Sequence, residues 1–341
     1  MLYIFTISIA FASCLTICLI AKKLGVVDSP DGVRKVHKGN IALGGGICLF
    51  LPLIFCFYLF PEFSSSVSDN IKIIGLCSLL ILFIGLADDI KPLPISIRLI
   101  GQIIASWVII IMTDLYIKDL GDLFGLGNIH LGELGIPITI FMVVGVTNAF
   151  NMLDGMDGLV SLVSLVCFSS LAILSYFSGS STMEINILST VLFIFLLFNL
   201  GLFKHEWKIF LGDSGAMWIG FIISWSLVNF SGDQDKLIEP VSALWIVLLP
   251  LIDALSTFIG RVREGKPIFS GDRAHIHHVL LAAGLEKWQV LALILLVSSL
   301  SCGFIIFITL YEVKEFYLFY GFLTLWLFYY LLLKYPLSKN I

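Results

Sequence analysis

The sequence predicts an all-α fold, a polytopic bundle of transmembrane helices. Three observations carry that expectation: a composition too apolar for a water-soluble domain, repeated runs of bilayer-spanning length, and a one-sided distribution of Lys and Arg. Of the 341 residues, 59% are hydrophobic and only 13% are charged, against about 25% charged in soluble domains. Apolar runs long enough to cross a hydrocarbon core of about 30 Å as a helix recur along nearly the whole chain.

In order, the runs cover 2–20, 44–60, 71–87, 95–113, 136–150, 159–177, 185–203, 216–230, 241–259, 290–310 and 316–333, so about eleven spans are expected. The first has no Lys or Arg before it and Lys22 and Lys23 after it. That flank suits an uncleaved span with its N-terminus outside rather than a signal peptide. The second opens on Gly44-Gly45-Gly46, which lets another backbone approach closely. The third ends on Asp88-Asp89, and the fifth, the shortest, runs into Asn148 and Asn151. All seven cysteines lie inside apolar runs and read as small buried side chains, with no disulfide framework. No internal repeat, low-complexity linker or compositional break divides the chain, so residues 1–341 are expected to form a single integral-membrane domain.

With the N-terminus outside, the inward loops are 21–43, 88–94, 151–158, 204–215, 260–289 and the tail from 334. Every Lys and Arg except Lys72, Lys118, Lys236 and Lys314 then falls on the inward side, as the positive-inside rule requires. Alternation also gathers the acidic clusters Asp88-Asp89, Asp154 with Asp157, Asp213 and Asp253 on that face, together with a histidine cluster.

Asp88-Asp89 sits at a helix C-terminus, where the helix dipole disfavours negative charge. The pair therefore calls for a cation or a proton as compensation, beyond the bland reading of a solvated helix end. From Asn148 to Gly158 polar groups recur every third residue. Asn148, Asn151 and Asp154 can then converge from one helix face, with Gly155 and Gly158 allowing close backbone approach; a simple turn needs fewer polar groups. Phe210-Leu-Gly-Asp213-Ser-Gly215 enters the eighth run where helix N-terminal amides can attract phosphate, and Asp213 offers a hard oxygen suited to Mg²⁺. The 260–289 loop carries Arg261, Arg263, Arg273, His275, His277 and His278, three of the chain's six histidines within four positions. They could ligate zinc or neutralise phosphate with the arginines. Lys38, following Arg34, Lys35 and His37, adds a basic stretch that is otherwise explained by topology alone.

Acids that hold a metal, bases that hold phosphates and an adjacent bilayer describe phosphoryl transfer between a soluble donor and a lipid acceptor. A cation-coupled transporter is the alternative of a different class, but its carboxylates would sit near the bilayer midplane in interrupted helices. A purely structural subunit would not need the clusters at all.

These motifs resemble the polyprenyl-phosphate N-acetylhexosamine-1-phosphate transferase family over roughly residues 24–288, most closely its bacterial undecaprenyl-phosphate N-acetylglucosamine branch. The resemblance implies transfer of GlcNAc-1-phosphate from UDP-GlcNAc to undecaprenyl phosphate, with UMP as the other product, to start a cell-surface polysaccharide of O-antigen, common-antigen or teichoic-acid type. It implies Mg²⁺ (or Mn²⁺) as cofactor and a bacterial cytoplasmic (inner) membrane location, with a periplasmic N-terminus and the site and C-terminus facing the cytoplasm. The implied partners are UDP-GlcNAc, undecaprenyl phosphate and the lipid bilayer, with a homodimer allowed and no nucleic acid; another UDP-N-acetylhexosamine remains open as donor. Asp88, Asp89 and His277 are matched to catalysis, and Asp213 to the metal. Lys38, Asn148, Asn151, Asp154, Asp157, Gly158, Phe210, Arg261, Arg263, Arg273, His275 and His278 are matched to substrate binding, with Phe210 stacked on uracil. Gly271 and Ala216 depart from the pattern, where proline and serine are common. Direct displacement by the lipid phosphate and an aspartyl-phosphate intermediate both fit this chemistry.

Overall fold

Each apolar run is helical in the computed structural model, which describes residues 1–29, 39–232, 236–267, 275–311 and 313–334. The helices are α1 (Leu2–Leu24), α2 (Gly45–Leu59), α3 (Pro61–Ser66), α4 (Asp69–Ile90), α5 (Ile95–Thr113), α6 (Gly135–Leu153), α7 (Leu159–Phe177) and α8 (Met183–Asn199). They continue with α9 (Gly212–Ser231), α10 (Pro240–Ile246), α11 (Leu248–Arg263), α12 (Ile276–Ala282), α13 (Lys287–Tyr311) and α14 (Glu315–Phe328), which runs on as a π-helical turn, Tyr329–Lys334. Local signals set several ends. Ser68 caps α4 by accepting from the Ile71 amide, and Gly25 closes α1 in the left-handed conformation that glycine adopts without a Cβ penalty.

Among the described residues, six helices are long and apolar enough to cross a bilayer: α1, α4, α5, Gly132–Leu153, α7 and Lys287–Thr309. The bent pair α10–α11 makes a seventh. α2 and α8, at 15 and 17 residues, are shorter apolar helices. The run at 241–259, read as one continuous span, is instead broken at Val247, where α10 and α11 meet at 85°. Pro250 explains the break. It has no N–H to offer the Ile246 carbonyl four residues back, and that oxygen is met by the thiols of Cys167 (3.3 Å) and Cys302 (3.6 Å). The hydroxyl of Ser301 meets the neighbouring Trp245 carbonyl at 2.5 Å. All seven cysteines are free thiols, six buried and Cys77 partly so.

One small non-helical element accompanies the helices at one end of the bundle. Three short strands, β1 (Val27–Asp28), β2 (Ile41–Leu43) and β3 (Ile209–Phe210), form a sheet in the order β1-β2-β3, antiparallel and then parallel. The sheet ties the 21–43 loop to the 204–215 loop, helped by Lys22, whose ammonium donates to the Glu206 carbonyl.

α9 occupies the centre. It is buried on nearly every face, with Trp218, Phe221 and Trp225 almost fully enclosed, and it packs mainly against α4 and α6. The close α4–α9 crossing depends on Gly85: a Cβ there would stand 2.4 Å from the Ser214 Cα, nearer than any side chain could. That crossing brings the N-terminus of α9 against the C-terminus of α4, where the acidic pair lies.

Candidate active site

The ends of α4, α6 and α9 bring the acidic clusters together. The Asp89 carboxylate accepts the backbone amides of Asp213 (2.7 Å) and Ser214 (3.2 Å), so it occupies the helix N-terminal amides that the sequence suggested for phosphate. This is an electrostatically sound arrangement, since the positive end of the α9 dipole meets a carboxylate from the negative end of α4. Gly212, at φ 70°, permits the turn into α9, and a Cβ there would meet Asp89 Oδ1 at 2.7 Å. Asn151 donates to Asp213 Oδ1 at 2.7 Å, which aims that carboxylate.

Asp88 is held differently. Its buried carboxylate takes the Leu93 amide at 2.6 Å and pairs with Arg98 at 2.8 Å, and it is also a neighbour of Asp213. Arg98, in the first turn of α5, was not marked by the sequence, where it reads as one more inward cation. The pair fixes the 88–94 turn and supplies the compensating charge that Asp88 needed.

Asp154 caps the C-terminus of α6. Among the described residues no hydrogen-bond partner reaches its carboxyl. Desolvation pushes that carboxyl well above the usual carboxylate range, and the charges of Asp213, Asp89 and Asp157 add to the shift. Repulsion among these acids is the physical reason to expect a cation between them. Among the described residues no group of three His, Cys, Asp or Glu stands ready as a metal cage. Mg²⁺, however, is held by one or two carboxylates with substrate phosphates and waters completing its shell. A set of hard oxygens with Asp213 at its centre fits that requirement.

The remaining candidates divide. Asp157 pairs with Lys208 at 2.7 Å, whose ammonium lies 5.3 Å from the centre of the Phe210 ring; Lys208 too went unmarked in the sequence. Gly158 serves packing: its amide donates to Asn199 at 2.6 Å, and a Cβ there would strike Leu200 at 2.6 Å. Asn199 in turn donates to the Ile209 carbonyl and so steadies β3. Asn148 turns towards α5, where it donates to Gln102 and to its own helix carbonyl at Val144. Of the expected face of α6, Asn151 is the residue that bonds directly into the cluster.

His277 is 1% exposed and its ring lies over the 154–155 turn, so close that a Cβ on Gly155 would stand 2.1 Å from Nε2. His278 packs on it, ring centres 4.2 Å apart, and His275 lies parallel to it at 6.1 Å. The histidine segment thus lies beside Asp154. Arg261 is buried in the last turn of α11. The Arg263 guanidinium donates to the Tyr330 hydroxyl at 2.8 Å and sits over that ring. Lys38 and Arg273 lie outside the described residues. A lone acid inside an apolar run, Asp253, proves to hold His275: its carboxylate pairs with Nδ1 at 2.7 Å.

Residues 71–231 match the family described as glycosyl transferase family 4. The chain is 34% identical over 302 residues to the undecaprenyl-phosphate alpha-N-acetylglucosaminyl 1-phosphate transferase of Yersinia pestis, covering 88% of this chain and 81% of that protein. It is 35% identical over 326 residues to the protein of the same name from Haemophilus influenzae, covering 94% and 90%. Against that of Escherichia coli strain K12 it is 33% identical over 283 residues, covering 82% and 76%.

Proposed function

The chain belongs to glycosyl transferase family 4, and from that premise we propose that it transfers GlcNAc-1-phosphate from UDP-GlcNAc to undecaprenyl phosphate, releasing UMP. The observation that carries this reading is the meeting of Asp89, Asp213, Asn151 and Asp154 at one end of the bundle, beside a buried histidine segment. Such a site can hold a diphosphate and its countercation at the edge of a membrane.

In this reading an oxygen of the lipid phosphate attacks the sugar-side phosphorus of the donor. The new P–O bond forms as the bond to the UMP oxygen breaks. Asp213, with Asp154 beside it, would hold Mg²⁺ (or Mn²⁺), which would supply neutralisation of the diphosphate charge. Asn151 keeps Asp213 aimed, and Asp89 fixes the backbone that carries Asp213. Lys208, Asp157 and Phe210 flank the nucleotide, the ring offering a face to uracil. His275, His277, His278 and Arg261 supply donors to the phosphates. Asp88 is oriented by Arg98 beside the reacting centre.

The finer topology belongs to the same proposal: eleven crossings in a bacterial inner membrane, N-terminus periplasmic, site cytoplasmic, where UDP-sugars are made. The positive-inside distribution supports it, as does the meeting, at one end of the bundle, of the described parts of the 21–43, 88–94, 151–158, 204–215 and 260–289 loops. The purified protein, given Mg²⁺, undecaprenyl phosphate and a panel of UDP-N-acetylhexosamines, is expected to release UMP fastest with UDP-GlcNAc. Transfer from no UDP-sugar, or only to a water-soluble acceptor, would overturn the reading. In intact cells Lys204→Cys, placed in a cysteine-free background, should resist an impermeant thiol reagent; labelling without lysis would reverse the orientation.

A further inference from the structure

Asp253 lies in α11, six residues beyond the break at Val247, and is 2% exposed. A carboxylate buried this deeply needs every lone pair used. One oxygen, Oδ2, meets His275 Nδ1 at 2.7 Å. The other, Oδ1, accepts the Ile276 amide at 3.0 Å and the Tyr329 hydroxyl at 2.7 Å. Three separate parts of the chain therefore converge on one side chain: the bent helix, the histidine segment and the C-terminal turn after α14.

The chemistry of the contact constrains the imidazole. A carboxylate only accepts, so the proton between it and His275 is on Nδ1, and Nε2 is left as the nitrogen available to a ligand. The bond to the Ile276 amide anchors the first turn of α12, the helix that begins at Ile276 and carries His277 and His278. Tyr329 holds the second oxygen, so the carboxylate cannot rotate away from His275.

We infer that Asp253, braced by Tyr329, is the positioning residue of the histidine segment: it sets which nitrogen of His275 faces the donor diphosphate and fixes the start of α12. This rests on the reading that the histidines contact the phosphates of UDP-GlcNAc. Asparagine at 253 would keep one oxygen for Ile276 and Tyr329 and so would turn its amide N–H towards His275. The imidazole would then accept at Nδ1 and carry its proton on Nε2, the reverse of the native tautomer.

The test is a double-mutant cycle on the full-length protein, read as the Kd for UDP-GlcNAc with Mg²⁺ and as kinetic constants for both substrates. Asp253→Asn should weaken UDP-GlcNAc binding about ten- to a hundredfold, the size of a lost charge-assisted hydrogen bond, with KM for undecaprenyl phosphate unchanged. Because the effect passes through His275, the double variant Asp253→Asn/His275→Ala should bind no worse than His275→Ala alone. Tyr329→Phe should shift the donor Kd in the same direction by a smaller factor, and it enters the same cycle if Asp253→Asn fails to insert. Multiplicative losses in the double variant would overturn the positioning role. So would a fall in melting temperature with an unchanged donor Kd, the signature of a structural role. A wild type that binds UDP-GlcNAc but transfers nothing to undecaprenyl phosphate would defeat the proposed reaction while leaving the cycle readable; a wild type that binds no UDP-GlcNAc overturns both.

Discussion

Asp213→Asn is expected to lower kcat by about a thousandfold or more while leaving the protein folded. Asparagine has nearly the same shape, and its Oδ1 can still accept from Asn151, which bonds Asp213 at 2.7 Å, so the helix entry should keep its geometry. What is lost is the formal charge at the centre of the cluster. A metal acting on a phosphoryl group contributes several kcal/mol, and each 1.36 kcal/mol is a factor of ten in rate. Removing the anionic ligand should therefore cost about three orders of magnitude and steepen the Mg²⁺ requirement. Radiolabelled transfer from UDP-GlcNAc across a Mg²⁺ titration measures both. Activity within tenfold of wild type at saturating metal would take Asp213 out of the metal's coordination.

Asp89→Asn is expected to cost about ten- to a hundredfold in kcat, together with a lower melting temperature. Asp89 accepts two amides from the first turn of α9. Asparagine supplies one acceptor oxygen and turns an N–H₂ towards the second amide, donor against donor. The loss of a charge-assisted bond there is worth about 1.5–3 kcal/mol, and the favourable meeting with the helix dipole goes with it. The rate falls because Asp213 is the second residue of that turn, and small displacements of a positioned group are costly. Combined kinetics and thermal denaturation separate this from a role in proton transfer alone, which would slow turnover without moving the melting curve. An unchanged rate and an unchanged melting temperature would show that α9 does not need Asp89.

Most of the helices were legible because the signal is local. A run such as 159–177 is helical on its own apolar length, and α7 occupies the same residues. The acidic clusters were legible for a related reason: an acid such as Asp88 or Asp154 at the edge of an apolar run is costly unless it does something. Alternation of spans then put these acids on one side. The same rule pointed at Asp253 but could not say what it served. Arg98 and Lys208 were hidden by their chemistry, since a Lys or Arg in an inward loop is explained by topology alone.

By itself, then, the sequence determined the membrane class, the positions of nearly all the helices and the neighbourhood of the site, because bilayer length, charge asymmetry and clustered acids can be read without knowing any contact. Only the tertiary structure decided the pairings. Asp88 takes Arg98 while Asp89 takes the α9 amides, Asn148 faces Gln102 while Asn151 faces Asp213, and Arg263 meets Tyr330. Adjacent residues such as Asp88 and Asp89 part because a helix rotates each successive side chain by about a quarter turn, while residues three apart, such as Asn148 and Asn151, drift by about 60° and so meet different neighbouring helices. Which face meets which partner then depends on how the helices cross. At this site the crossing is set by backbone contacts at Gly85 and by a proline-induced break at Val247, features whose consequences appear only when the helices are packed together.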